Sequence, residues 1–113
     1  MGFLHNAKDL LIESAAPAIL NQTLMADYGK ITTLELDSRA KKLHVEALLR
    51  GESEPIRVEI DSYELEQRNG DVYLKIKQIS TSREWITTLA RQELVNRPIR
   101  LPRQFSGLVG RLL

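Results

Sequence analysis

The 113-residue chain has no cysteine, which removes disulfides, thiolate metal sites and cysteine nucleophiles together. Aromatic residues are scarce: one Trp, two Phe and three Tyr, too few and too scattered for a base-stacking platform. No apolar run approaches the roughly 18 residues that span a bilayer as a helix. The start, "MGFLHNAKDLLIES", lacks the basic opening, unbroken apolar stretch and small-residue cleavage site of a secretion signal, so a cytoplasmic location is expected. Gly-x-Ser-x-Gly and His-Glu-x-x-His are also missing, and "Gly107-Leu108-Val109-Gly110" has neither the lysine nor the strand context of a phosphate loop. The two histidines, His5 and His44, fall in different elements and read as solvated, and the carboxylates are spread over strands and turns. No acid–base pair or ligand set stands out, so the sequence predicts no enzyme, no metal and no cofactor.

What remains is a globular composition, 42% hydrophobic and 27% charged, at a length that suits one domain. Charge is unevenly placed. All 15 acidic residues precede residue 97, whereas four of the 16 basic ones lie from Arg97 onward, so the body is net acidic and only the tail is basic. That distribution argues against a nucleic acid partner.

Two periodicities organise the chain. Residues 3 to 26 read as a helix, with Leu4, Leu11, Ala15, Ala18, Gln22 and Met25 along one stripe and Ile12, Ala16, Ile19 and Thr23 beside it. Pro17 should kink or split this helix, and Gly29 marks a plausible stop. From Ile31 the period becomes two, giving four strands marked by Leu34 and Leu36, by Leu43, Val45, Ala47 and Leu49, by Ile56, Val58 and Ile60, and by Val72, Leu74 and Ile76. The connections are short and Asn69-Gly70 is a strong hairpin signal, so an antiparallel meander is expected. Counting outward from that turn places Tyr63 opposite Ile76, Leu65 opposite Leu74 and Glu64 opposite Lys75. The inward set moves from even to odd numbers between Ile60 and Tyr63, which predicts a β-bulge near Asp61-Ser62 and a bent sheet. Pairing Leu49 with Ile56 sets Glu46 against Glu59, a repulsion that twist or another register must relieve.

A second helix follows, with Thr81 as N-cap, Glu84 three residues on, an apolar stripe of Trp85, Ile86, Leu89, Ala90 and Leu94, and Pro98 as its end. The class is therefore α+β: a helix, a four-stranded antiparallel bent meander, a second helix, an extended arm and a short C-terminal helix. Residues 97 to 103 have the composition of an edge strand as well as of an arm. Phe105, Leu108, Val109, Leu112 and Leu113 repeat at helical spacing, but so short a stretch with two glycines needs a surface to dock on. The expected organisation is a single domain over residues 1–103 and an amphipathic segment over 104–113 that docks on the domain, on a second copy or on a membrane. The residues expected to make a membrane or partner contact are Arg100, Arg103, Phe105, Leu108, Val109, Arg111 and Leu112, which adds a peripheral membrane contact to the options for location.

A long apolar helix, then a bulged meander, then "ISTSREWITTLARQELVNRPIRLP" resembles one half of the tubular lipid-binding (TULIP-like) proteins, in particular their bacterial phospholipid-binding members, over roughly residues 10 to 103. The resemblance rests on element order and on the "SREW" helix start. It implies a strongly bent sheet wrapped around a helix, with an apolar cleft for acyl chains between them, and a unit that pairs with a second copy. The expectation is a non-enzymatic, homo-oligomeric module that binds a lipid or fatty acyl ligand, with Leu20, Leu24, Ile60, Leu65, Leu74, Ile76, Trp85 and Leu89 lining the cleft. The alternative is a homo-oligomeric protein-interaction module with the same residues in a closed core and no small-molecule ligand.

Overall fold

A computed structural model describes residues 7–23 and 25–105. They form α1 (Ala7–Gln22), β1 (Gly29–Asp37), β2 (Lys42–Leu49), β3 (Ile56–Arg68), β4 (Asp71–Thr81), α2 (Glu84–Glu93), β5 (Ile99–Arg100) and a 3-10 turn at Arg103–Phe105. The strands make one antiparallel sheet in the order β1-β2-β3-β4-β5, curled into a half-barrel. The class is α+β, but the sheet has five strands where four were expected. The arm after α2 joins it: Ile99 pairs with Leu74, Arg100 with Tyr73, and the Leu101 N–H donates to the Val72 carbonyl at 2.9 Å. Pro98 and Pro102 flank this strand, where their missing N–H groups break no ladder.

The curl has a local cause in three strands. β1 slips register between Ile31 and Thr33, β3 between Ile60 and Tyr63, and β4 across from it between Ile76 and Ile79. At each slip the next inward residue lies three positions on instead of two: Ile31 to Leu34, Ile60 to Tyr63, Ile76 to Ile79. An extra residue of this kind bends and twists its strand, and the facing slips in β3 and β4 add together. The Asn69-Gly70 turn fixes the β3–β4 register as expected, with both residues at positive φ and Arg68 opposite Asp71. Between β2 and β3 the partner of Ile56 is Ala47, not Leu49, so Glu46 faces Arg57 and the repulsion with Glu59 does not arise.

Both helices bond to the sheet's edges. Along α1, positions 9, 13, 17 and 21 form one row at four-residue spacing, on the side nearest β1. Asp9 Oδ2 accepts from the Ser38 N–H at 3.3 Å and Glu13 Oε2 from the Leu36 N–H at 2.7 Å. Asn21 closes the row by accepting from the Ile31 N–H at 2.7 Å and donating to its carbonyl at 3.2 Å. These anchors stand on both sides of Pro17, and α1 runs through the proline without dividing, so of the expected kink or split the split does not occur. Its buried apolar residues are Ile12 and Ala16, while Leu11, Ala18 and Gln22 of the other expected stripe are exposed.

On the far side α2 lies along β4, where Thr87 Oγ1 accepts the Thr81 N–H at 2.8 Å and Arg91 Nε donates to the Ile79 carbonyl at 3.3 Å. Side chains thus satisfy edge groups that would otherwise invite another strand. Thr81 is still paired with Val58, so it does not cap α2; Arg83 occupies the cap position and makes no side-chain cap bond. Placed beside the sheet, α2 buries Thr87 and Ala90. Trp85 and Leu89, expected inside, are 61% and 50% exposed.

Candidate functional site

Between α1 and the concave face of the sheet lies a cleft of about 320 Å³. Ile12, Ala16 and Leu20 form its α1 wall, with Met25 from the turn that follows. Ile31, Leu34 and Leu36 of β1 and Leu43 of β2 make one side, and Ile60, Tyr63 and Leu65 of β3 with Leu74 and Ile76 of β4 make the floor. Ile99, Leu101 and Phe105 close it from the C-terminal side. The register slips determine this lining, because without them Tyr63 and Leu65 would face outward and the floor would stop at Ile60.

Five of the residues expected to line a cleft, Leu20, Ile60, Leu65, Leu74 and Ile76, come together there. Trp85 and Leu89 do not, since α2 sits beside β4 and turns them to solvent. Leu24 lies outside the described residues, as do Leu108, Val109, Arg111, Leu112 and the short C-terminal helix. Of the residues expected to meet a membrane or partner, Arg100 and Arg103 are exposed, Arg103 with its Nε 3.6 Å from Asp71 Oδ1. Phe105 instead points inward, 4% exposed, into the protein's own core. Of the surfaces that the tail's apolar spacing could dock on, this ring takes the domain's own, and Pro102 and the 3-10 turn lead it to the cleft.

Sequence reasoning missed the one polar group in the lining. Tyr63 is 4% exposed, and its hydroxyl has no hydrogen-bond partner. Burial, aided by the negative charge of Asp9 and Asp37, pushes its pKa up to about 12, so it stays a neutral phenol. Asp9 and Asp37 are themselves buried at the end of β1 near this ring. Asp37 Oδ1 accepts from the Ala40 N–H at 3.2 Å, and Lys41, at positive φ in the same turn, holds its Nζ 5.8 Å from the Tyr63 ring centre. The signal was present in the parity change between Ile60 and Tyr63, which turns a tyrosine inward.

A second concavity of about 460 Å³ lies at the β3–β4 slips, lined by Asp61, Lys77, Gln78, Ile79, Ser80, Arg91 and Val95. Its cations are engaged in holding the fold: Lys77 Nζ donates to Asn96 Oδ1 at 3.0 Å and Arg91 to the Ile79 carbonyl. His44 lies on the convex face, away from both hollows, with its ring nitrogens directed at Glu59 and Glu46. It is less solvated than expected. Among the described residues no group of three or more His, Asp or Glu side chains could hold a metal ion, and no helix is long and apolar enough to cross a membrane.

Compared with family models, curated proteins and solved structures, the chain matches none of them.

Proposed function

We propose that this protein is a non-enzymatic binding module that holds one apolar ligand, a lipid or single acyl chain, in the cleft between α1 and the curled sheet. The observation that carries this is the cleft itself, lined by side chains of seven elements with only one polar side chain, Tyr63, among them. Its volume falls at the lower end of the roughly 300–1,000 Å³ of small-molecule sites, which suits one chain better than two. Removing a chain's apolar surface from water supplies the affinity, about 0.8 kcal/mol for each methylene buried. The resemblance to the tubular lipid-binding proteins points the same way, since it implies a bent sheet wrapped around a helix with an acyl cleft between them.

The test is a titration with the neutral apolar fluorophore N-phenylnaphthylamine, alongside native mass spectrometry and organic extraction of the purified protein. The native chain binds the fluorophore or carries a lipid mass, and Leu74→Trp, which fills the cleft, abolishes binding while the circular dichroism spectrum is kept. A clean apo mass with no fluorophore uptake rejects the proposal.

A second proposal, a homo-oligomeric interaction module, has its own observation. Trp85 and Leu89 stand one turn apart and exposed on α2, and tryptophan is enriched in the centres of interfaces. Light scattering that detects a dimer in the native chain and a monomer in Trp85→Ala favours it, and a monomer in both removes it.

A further inference from the structure

The walls of the cleft are held unequally. β1 to β4 are joined by continuous ladders, and α1 is tied to β1 by the side chains of Asp9, Glu13 and Asn21. The arm of residues 98 to 105, which supplies Ile99, Leu101 and Phe105, has only a two-residue strand and the bond from the Leu101 N–H to the Val72 carbonyl. Pro98 and Pro102 have no N–H to donate, so this ladder cannot lengthen in either direction. Among the described residues the arm's side chains make one polar contact, Arg103 Nε 3.6 Å from Asp71 Oδ1, and the arginine side chain is 86% exposed. A pair so open to water holds little. Upstream the chain is fixed: at Asn96, with a φ of 65°, the N–H donates to the Ile76 carbonyl at 2.9 Å and Oδ1 accepts from Lys77 Nζ at 3.0 Å. Arg97 and Pro98 thus join a fixed point to a loosely held arm, which is the arrangement of a hinge. We propose, resting on the apolar-ligand reading above, that this arm is the gate of the cleft: it swings away from β4 about Arg97-Pro98 to admit the apolar chain and returns to close over it.

What keeps the arm shut is the apolar contact of Ile99, Leu101 and Phe105 with the rest of the lining. A bound chain presents its methylenes to those same side chains, so it adds apolar burial to the closed arm and none to the open one. The ligand therefore favours closure through its different affinity for the two states. The other walls offer no such route. Lifting α1 breaks its bonds to the Ser38, Leu36 and Ile31 N–H groups and uncovers the edge of β1, and parting β1 from β2 or β3 from β4 breaks a whole ladder. Local opening of a folded protein follows the segment with the fewest bonds to break, and here that segment is the arm.

A chain without cysteine permits a direct test. Leu101 and Val72 form a hydrogen-bonded pair, so the next pair, Tyr73 with Arg100, is a non-hydrogen-bonded one, whose Cα atoms stand about 4.5 Å apart. That separation suits a disulfide, and neither residue lines the cleft. In the full chain carrying Tyr73→Cys and Arg100→Cys, N-phenylnaphthylamine should enter and leave at least about ten-fold more slowly in the oxidised form than in the reduced one. Its affinity should change by less than about two-fold, because a gate alters both rates alike. In the native chain the Leu101 amide should exchange with deuterium faster than the amides of the β2–β3 ladder, and saturating fluorophore should slow it at least about ten-fold. Equal rates in the oxidised and reduced forms, with the disulfide confirmed by mass, overturn the gate and leave the cleft reading standing. So does a Leu101 amide whose exchange the bound fluorophore leaves unchanged. A fluorophore that never binds the native chain overturns both.

Discussion

His44 of β2 stands directly opposite Glu59 of β3 on the convex face, its Nδ1 against that carboxylate and its Nε2 3.3 Å from Glu46 Oε2. With both ring nitrogens facing acceptors, the imidazolium is the form that satisfies the site. Burial pulls the pKa down, but the hydrogen bonds to Glu59 and Glu46 and the charge of both outweigh it and raise the pKa above its ordinary 6.5. The folded state therefore binds the proton more tightly than the unfolded one. The stabilisation is fully present below 6.5 and is lost as pH rises through the folded value. Urea unfolding across that window should give a stability that falls with pH in the native chain, and His44→Gln should flatten the fall. Parallel pH profiles in the two proteins would remove the pair from the account.

Thr87 offers a second test, on the edge of β4. Its hydroxyl accepts the Thr81 N–H at 2.8 Å, and valine has the same shape without the acceptor. Thr87→Val should cost about 1–3 kcal/mol in denaturant unfolding, because it strands a part-buried backbone donor. Thr87→Ser should recover most of that loss. A valine variant as stable as the native chain would mean that water or a shifted α2 serves the Thr81 N–H equally well.

The ease with which the fold can be read from the sequence differs from strand to strand for physical reasons. Asn69-Gly70 specifies a two-residue turn, and a two-residue turn fixes every pair of the hairpin behind it, so Leu65 with Leu74 follows by counting. The loop of residues 50 to 55 specifies no such geometry, and the β2–β3 register is settled instead by charges on the convex face, Glu46 with Arg57 and His44 with Glu59. The slip at Asp61 is legible as a parity change, and the same three-residue step from Ile76 to Ile79 and from Ile31 to Leu34 marks its companions. Cleft residues on the strands follow from those parities. The cleft's far wall is legible only in part: Ile99 and Leu101 alternate about Arg100 as an edge strand does, but nothing in that short run says which edge of the sheet it joins or that Phe105 follows it inward.

Trp85 is the least legible residue, since its apolar character predicts burial, whereas its helix lies beside the sheet and not over it. At 61% exposed, and as the sole tryptophan, it should emit at the long wavelength of a hydrated indole and be quenched efficiently by acrylamide. Trp85→Ala should change the unfolding free energy of a monomer by no more than about 0.5 kcal/mol. A blue-shifted, protected emission would show that the ring is covered in solution.

Phe105 separates a tail that belongs to the fold from one that only adorns it. Its ring is buried in the core cluster, so Phe105→Ala should lower stability by about 3–5 kcal/mol. Arg103→Ala, two residues away and exposed, should stay within about 0.5 kcal/mol. Equal and small effects from both would mean that Phe105 is free for the membrane or partner contact expected of it.

Gly29 opens β1 directly opposite Leu49, and its backbone adopts a φ of 152°. A Cβ added there would lie 2.3 Å from the Leu48 carbonyl oxygen and 2.8 Å from the Leu49 Cα. Both are backbone atoms of the paired strand, so no side-chain rotation relieves the clash, and β1 would have to part from β2 at this end. Gly29→Ala should therefore destabilise by about 3 kcal/mol or more, at the top of the range for overpacking. Gly70→Ala provides the contrast: nothing lies within 4 Å of its added Cβ, and the cost is confined to the positive φ of the turn, about 1 kcal/mol. Because α1 bonds to β1 through Asn21 and Ile31, two residues beyond Gly29, a strand loosened there should also open one wall of the cleft. Gly29→Ala is thus expected to weaken N-phenylnaphthylamine binding at temperatures where the protein is still folded, while Gly70→Ala leaves it intact; equal binding by the two variants would mean that the cleft tolerates a displaced β1.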